Sequence, residues 1–215
     1  VDKIHEFIKD ITQNYNGKNA IKKCLEEILS DIIATYLMGP AYACAAILMH
    51  FNPVSAYEEK EGHIAHAKRA YAIIHMLNWM NDQHYEKPYS NIIEKLTLEW
   101  TSALKQAKQP EDMNENDRTL LDMWMTEISN KGVIRKGLGI YSPFTLKSWW
   151  RSQEISELID NEKIENYKPQ ATDNLIQVLN AALFSCIHNP DKLERIEEYA
   201  HHVWDNWNNW KEKTK

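Results

Sequence analysis

Glu27 and Asp31 stand one helical turn apart in LEEILSDIIATYLMGPAYA, the stretch from Leu25 to Ala43. Residues four apart share a helix face, and like charges at that spacing cost about 0.2–0.5 kcal/mol unless a cation or a donor sits between them. On a helical wheel the two carboxylates fall with Cys24, Ala34 and Met38, opposite an apolar face of Leu25, Ile28, Leu29, Ile32, Ile33 and Tyr36. The polar stripe turns apolar from Ala34 onward, which places Asp31 where the helix enters the interior. A carboxylate there must be paired or must ligate a metal. The plainer alternative is a solvated stripe, and periodicity alone leaves both open.

Other side chains with chemical potential are more isolated. His63 and His66, three apart and beside Glu61, have the spacing of a small metal site or of two solvated imidazoles on a first helical turn. His75 and His84 lie too far apart along one helix and its exit to cooperate. His201 and His202 are adjacent, so on a helix they point about 100° apart and do not readily chelate one ion. The sequence has no Gly-rich phosphate loop and no Gly-x-Ser-x-Gly elbow, so nucleotide and serine-hydrolase chemistry have no foothold.

Glu27-Ile-Leu-Ser-Asp31-Ile-Ile-Ala34 resembles the Glu-x-x-x-Asp-x-x-Ala third-ligand helix of gluzincin zinc metallopeptidases, especially the type that includes the CAAX prenyl endopeptidases. The family carries a His followed six positions later by an Arg, and His63 and Arg69 stand in that relation within GHIAHAKRAYAIIHML. The resemblance implies that Glu27 is a zinc ligand and Asp31 its supporting partner. It further implies that His63 bonds the scissile carbonyl or its oxyanion, and that Arg69 pairs with Asp31. The physical chemistry is compatible: Arg69 shares a helical sector with Ala65, Ala72, Ile73 and Met76, a basic group on a largely apolar face that needs a carboxylate. GPAYA after the Asp helix and LNAALF at 179–184 are similar to parts of helical proteins with the same signatures. The specific match covers residues 27 to 69.

A gluzincin also needs His-Glu-x-x-His, in which two imidazoles bind zinc and the Glu activates water. This chain has none. Its nearest approach is His5-Glu6-Phe7-Ile8-Lys9, where an ammonium occupies the second ligand position and His5 reads as a surface residue. Two expectations follow. Either the missing helix lies upstream of Val1, where the chain opens without an initiator Met, or the site has lost its metal and Asp31 and Arg69 survive as a structural ion pair. The first is a zinc peptidase-like protein acting on a peptide or protein substrate, or the C-terminal part of one. The second is a non-catalytic helical interaction scaffold.

The elements that must position these residues are helices. Only six Gly and seven Pro punctuate the 215 residues, and apolar side chains recur at three- and four-residue spacing almost throughout. The pattern predicts an all-α fold with helices near 3–15, 19–38, 40–51, 63–81, 89–108, 116–130, 145–159, 171–188 and 191–212. NKGVIRKGLGIYSPF breaks the period and predicts an irregular Gly-rich loop or short hairpin near 131–144. One helical domain over 1–215 is expected, with QPEDMNENDR at 109–118 the best boundary between sub-lobes 1–108 and 116–215.

Ile32 to Phe51 is twenty residues without a formal charge, long enough for a bilayer of about 30 Å. Gly39-Pro40 interrupts it, the Gly able to close one helix and the Pro to open the next, so two buried helices meeting at a corner are expected instead of a membrane span. The net charge of −6 and the lack of a dense basic block exclude the footprint of a nucleic-acid binder. Cys24, Cys44 and Cys186 have neither metal-type nor redox-type spacing and fit reduced thiols in a cytoplasmic protein. Trp204, Trp207 and Trp210 form one aromatic stripe on the last helix, either packing it onto the body or meeting a protein partner's groove.

Overall fold

The computed structural model describes residues 18–59, 63–130 and 143–213, together with Glu6 and Lys9. His5, Glu61, most of the helix expected at 3–15 and all but the last two residues of the loop or hairpin expected at 131–144 lie outside the described residues. Within them the protein is all-α: eight α-helices and no β-strand. It divides into two compact units, residues 1–143 and 144–215.

In the first unit α1 spans Lys18–Met38, α2 Pro40–Cys44, α3 His66–Asp82, α4 Ser90–Gln106 and α5 Glu115–Asn130. Leu25, Ile28, Leu29 and Ile32 recur at the spacing of one helix face, and all four are buried. They meet α3, whose Ile73, Met76 and Leu77 are fully enclosed. At roughly 1.5–3 kcal/mol for each buried aliphatic side chain, this seam fixes α1 against α3.

Between α1 and α2 the chain turns at Gly39, which has φ 68° and ψ −152°, a region essentially closed to residues with a Cβ. Pro40 then opens α2 at its first turn. The uncharged run therefore becomes two elements, as its interruption predicts, and among the described residues no helix is long and apolar enough to cross a membrane. Beyond Cys44 the helix widens into a π-helical turn, Ala45–His50, that ends at the extended Phe51. Such wide turns are rare and often found at functional sites.

The polar segment 109–118 does not separate two lobes. Tyr57 donates its hydroxyl to the Pro110 carbonyl at 3.0 Å, and Gln109 Nε2 donates to the Val54 carbonyl at 2.7 Å. Both bonds hold the segment inside the first unit, and the division falls after Pro143.

The second unit consists of α6 Leu146–Asp160, α7 Leu175–His188 and α8 Leu193–Lys213. Helices α6 and α7 pack along each other, and α8 lies mainly on α7. Helix α7 starts later than periodicity suggests because Asn174 caps it: its side chain accepts from Gln177 N at 3.2 Å while Gln177 Oε1 accepts from Asn174 N at 2.9 Å. Trp207 is buried in this unit's core, stacked on Trp204 with ring centroids 4.9 Å apart, and Trp204 and Trp210 are partly buried against the same cluster. Much of the tryptophan stripe is thus spent on internal packing.

Candidate functional site

The expected helix at 63–81 begins three residues later, at His66, and this matters for the site. His63, Ile64 and Ala65 run as a non-helical lead-in, and the backbone there is free to bond across to α1. Ile64 N donates to Glu27 Oε2 at 3.0 Å, and His63 Nδ1 lies 2.6 Å from Glu27 Oε1. Both Glu27 oxygens are thereby engaged. The pair is accessible: the His63 side chain is 71% exposed and that of Glu27 22%.

One turn further along α1, Asp31 is closed in, with 1% of its surface exposed. Arg69 grips it with two bonds, Nε to Oδ2 at 2.7 Å and Nη2 to Oδ1 at 2.8 Å. Tyr42 donates its hydroxyl to Oδ1 at 2.6 Å from α2. The Gly39-Pro40 corner makes this third bond possible by folding the start of α2 back beside α1. Burial and the neighbouring carboxylate push the Tyr42 phenol up to about 12, so it remains a donor throughout the physiological range. The bond to Asp31 likewise raises Arg69 above its ordinary value despite partial burial.

The π-helical turn contributes the floor of this arrangement. It delivers Phe51 beneath α3, where the Arg69 guanidinium lies 5.0 Å from the ring centroid. His66 stacks on the same ring at 5.1 Å and accepts a bond from Asn52 N at its Nδ1. His66 is therefore committed to holding the chain, and does not join His63 in a chelating pair.

The structure thus brings the four singled-out residues together as two bonded couples, Glu27 with His63 and Asp31 with Arg69, on adjacent turns of one helix. Tyr42, Phe51 and the Ile64 amide complete the arrangement. Sequence reasoning missed them, although Tyr42 lies within the quoted GPAYA. Glu27 and Arg69 open onto a shallow hollow also lined by Lys23, Glu26 and Ser30.

Both carboxylates already have partners on each oxygen; Asp31 is enclosed, whereas Glu27 and His63 are accessible and amount to one carboxylate and one imidazole. A zinc site takes three protein ligands or more. Among the described residues no group of three or more His, Cys, Asp or Glu side chains is placed to hold a metal. The described residues alone do not complete a metal centre. Cys24, Cys44 and Cys186 are free thiols, with Cys44 fully buried. Compared with known proteins, the chain matches no family model, no curated protein and no solved structure.

Proposed function

We propose that α1 and the start of α3 form the carboxylate half of a gluzincin-type zinc peptidase site acting on a peptide or protein substrate. Glu27 is the ligand side chain, His63 is placed to bond a carbonyl oxygen or oxyanion, and Asp31 with Arg69 fixes the helix beneath them. The observation that carries this reading is the contrast between adjacent turns. The Glu27–His63 couple is accessible, while the Asp31 carboxylate one turn away is enclosed, with both oxygens bonded to Arg69 and Tyr42. A ligand carboxylate needs such support to hold its orientation. Zinc, when bound, would polarise a peptide carbonyl and lower the pKa of its water. This sequence contains no His-Glu-x-x-His, so in this reading the two imidazoles and the general base come from a segment outside it. The free cysteines fit a reducing, cytoplasmic setting for the same reading.

The second reading is a non-catalytic helical scaffold, and a specific observation favours it: both Glu27 oxygens already have partners within the chain. Metal analysis of the full-length encoded protein separates the two. The peptidase reading expects one equivalent of zinc, lost on Glu27→Ala, together with cleavage of a peptide mixture that disappears in the same variant. A metal-free, inactive full-length preparation would sink it and leave the scaffold.

A further inference from the structure

On α3, away from Glu27, a cavity of about 290 Å³ lies between α3, α4 and the segment leading into α5. Its walls include Tyr57, Tyr71, Trp100 and Leu104, and its rim carries Glu111 and Asp112. We infer that this cavity is a binding site for a small organic ammonium ion, an amine with an apolar body.

The walls are built in advance of any ligand. Tyr57 is tied by its hydroxyl to the Pro110 carbonyl at 3.0 Å, and Tyr71 donates to Asp122 Oδ1 at 2.5 Å. Trp100 is almost wholly enclosed, its ring edge-on to Phe51 at 6.3 Å. Three aromatic side chains fixed in this way meet a ligand without losing further rotamer freedom. The segment that closes the cavity is the polar 109–113 stretch, pinned at Gln109 and Pro110.

Charge selects the ligand's sign. Two carboxylates, Glu111 and Asp112, line the cavity against one guanidinium, Arg118, whose Nη2 stands 3.9 Å from Asp112 across two exposed side chains. No lysine lines it. Burial holds His75 below its ordinary value, so it adds no positive charge at neutral pH. At the Tyr71 hydroxyl burial and the Asp122 carboxylate prevail over the opposing Arg118 guanidinium and raise the phenol above its ordinary value. An anion would meet a rim of like charge.

Calorimetric titration of the full chain with three probes of one shape, phenethylamine, phenethyl alcohol and hydrocinnamate, tests the inference. The amine is expected to bind about 5- to 30-fold more tightly than the alcohol, with hydrocinnamate weakest. The double variant Glu111→Gln/Asp112→Asn, at two exposed positions, should reduce the amine's preference by about 3-fold or more. Thr101→Phe, which fills the cavity from α4, should abolish binding, with circular dichroism confirming that the fold is kept. Glu27→Ala should leave the amine's affinity unchanged, so this site stands or falls independently of the zinc reading. Absence of binding at millimolar amine, equal affinity for amine and alcohol, or binding that survives Thr101→Phe would overturn it.

Discussion

Among the described residues each unit of the protein buries one aspartate under the same three-part grip, yet the two grips serve different ends. In the first, Asp31 is held by Arg69 Nε and Nη2 and by the Tyr42 hydroxyl. In the second, Asp173 is held by Arg151 Nε at 2.9 Å and Nη2 at 2.8 Å, and by the Tyr167 hydroxyl at 2.7 Å. Asp173 also accepts from Gln170 N, and Arg151 donates onward to the Lys168 carbonyl and to Glu154. Every one of these extra bonds except that to Glu154 closes on the loop between α6 and α7. The second grip is a buckle for that loop. The first has no loop to close; it joins α1, α2 and α3, and the turn beside it presents Glu27 and His63 to solvent. The same chemistry thus anchors a connection in one unit and steadies an accessible pair in the other.

Removing one charge from either grip tests how alike they are, and carries the largest expected effect. Asp173→Asn and Asp31→Asn should each cost about 3–5 kcal/mol, because the remaining guanidinium loses its buried counter-ion, Arg151 keeping only the exposed Glu154. Urea denaturation measures the loss, and hydrogen exchange assigns it to 144–215 for the first variant and to 18–82 for the second. A change below about 0.5 kcal/mol for either one, as at ordinary surface positions, would break the comparison at that grip.

Acid reaches the second grip without mutation. Burial alone would raise Asp173, but the bonds from Arg151, Tyr167 and the Gln170 amide outweigh it and hold the carboxyl below its ordinary 3.8. A folded-state value depressed in this way contributes stability that is fully present above the ordinary value and is lost as pH falls through the depressed one. The second unit should therefore lose stability progressively below about pH 4. Asp173→Asn should flatten that acid limb in urea titrations across the same range, and an unchanged limb would mean that other carboxylates set it.

The tyrosines come next. A hydrogen bond to a charged group contributes about 1.5–3 kcal/mol, so Tyr42→Phe and Tyr167→Phe should fall in that range and below the aspartate variants. The comparison sharpens here. Asp173 keeps three donors when Tyr167 is lost, whereas Asp31 keeps only the two from Arg69, so Tyr42→Phe should be the more damaging of the pair. Equal or reversed losses in thermal or urea unfolding would show that the hydroxyls are not what distinguishes the two sites.

How far these sites could be foreseen follows from their sequence distance. The carboxylate spacing on α1 and the lone Arg69 on an apolar face were legible from helical periodicity and resemblance, because each is a local pattern on one helix. Tyr42 was visible only as part of GPAYA, since its bond depends on the angle of the Gly39-Pro40 corner, which a wheel does not give. Asp173 and Arg151 had no signal: the pair spans 22 residues across a loop, and each residue alone looks like a surface charge. The segment 109–118 misled for the opposite reason. Its polarity reads as a linker, while two long-range side-chain bonds make it the wall of a cavity. The π-helical turn left no mark, as Ala45 to His50 has the same apolar spacing as an ordinary helix. The longer helices were legible to within a few residues of their ends because their apolar faces repeat over about four turns or more.

The smallest expected effect separates support from function most cleanly. Glu27→Gln keeps the shape of the side chain. Its amide oxygen can still accept from Ile64 N, and its amide nitrogen can donate to His63 Nδ1 if the ring carries its proton on Nε2. With His63 largely exposed, the pair contributes at most about 1 kcal/mol, so the variant should unfold within that margin of the parent while Asp31→Asn falls well outside it. What the substitution does remove is the negative charge on an accessible carboxylate. In the full-length protein, a loss of zinc or peptide hydrolysis at unchanged stability would therefore be read as a loss of that charge alone. If Glu27→Gln instead destabilises the fold as strongly as Asp31→Asn, then Glu27 belongs to the same internal grip as Asp31. The distinction between an accessible pair and its buried support would then disappear.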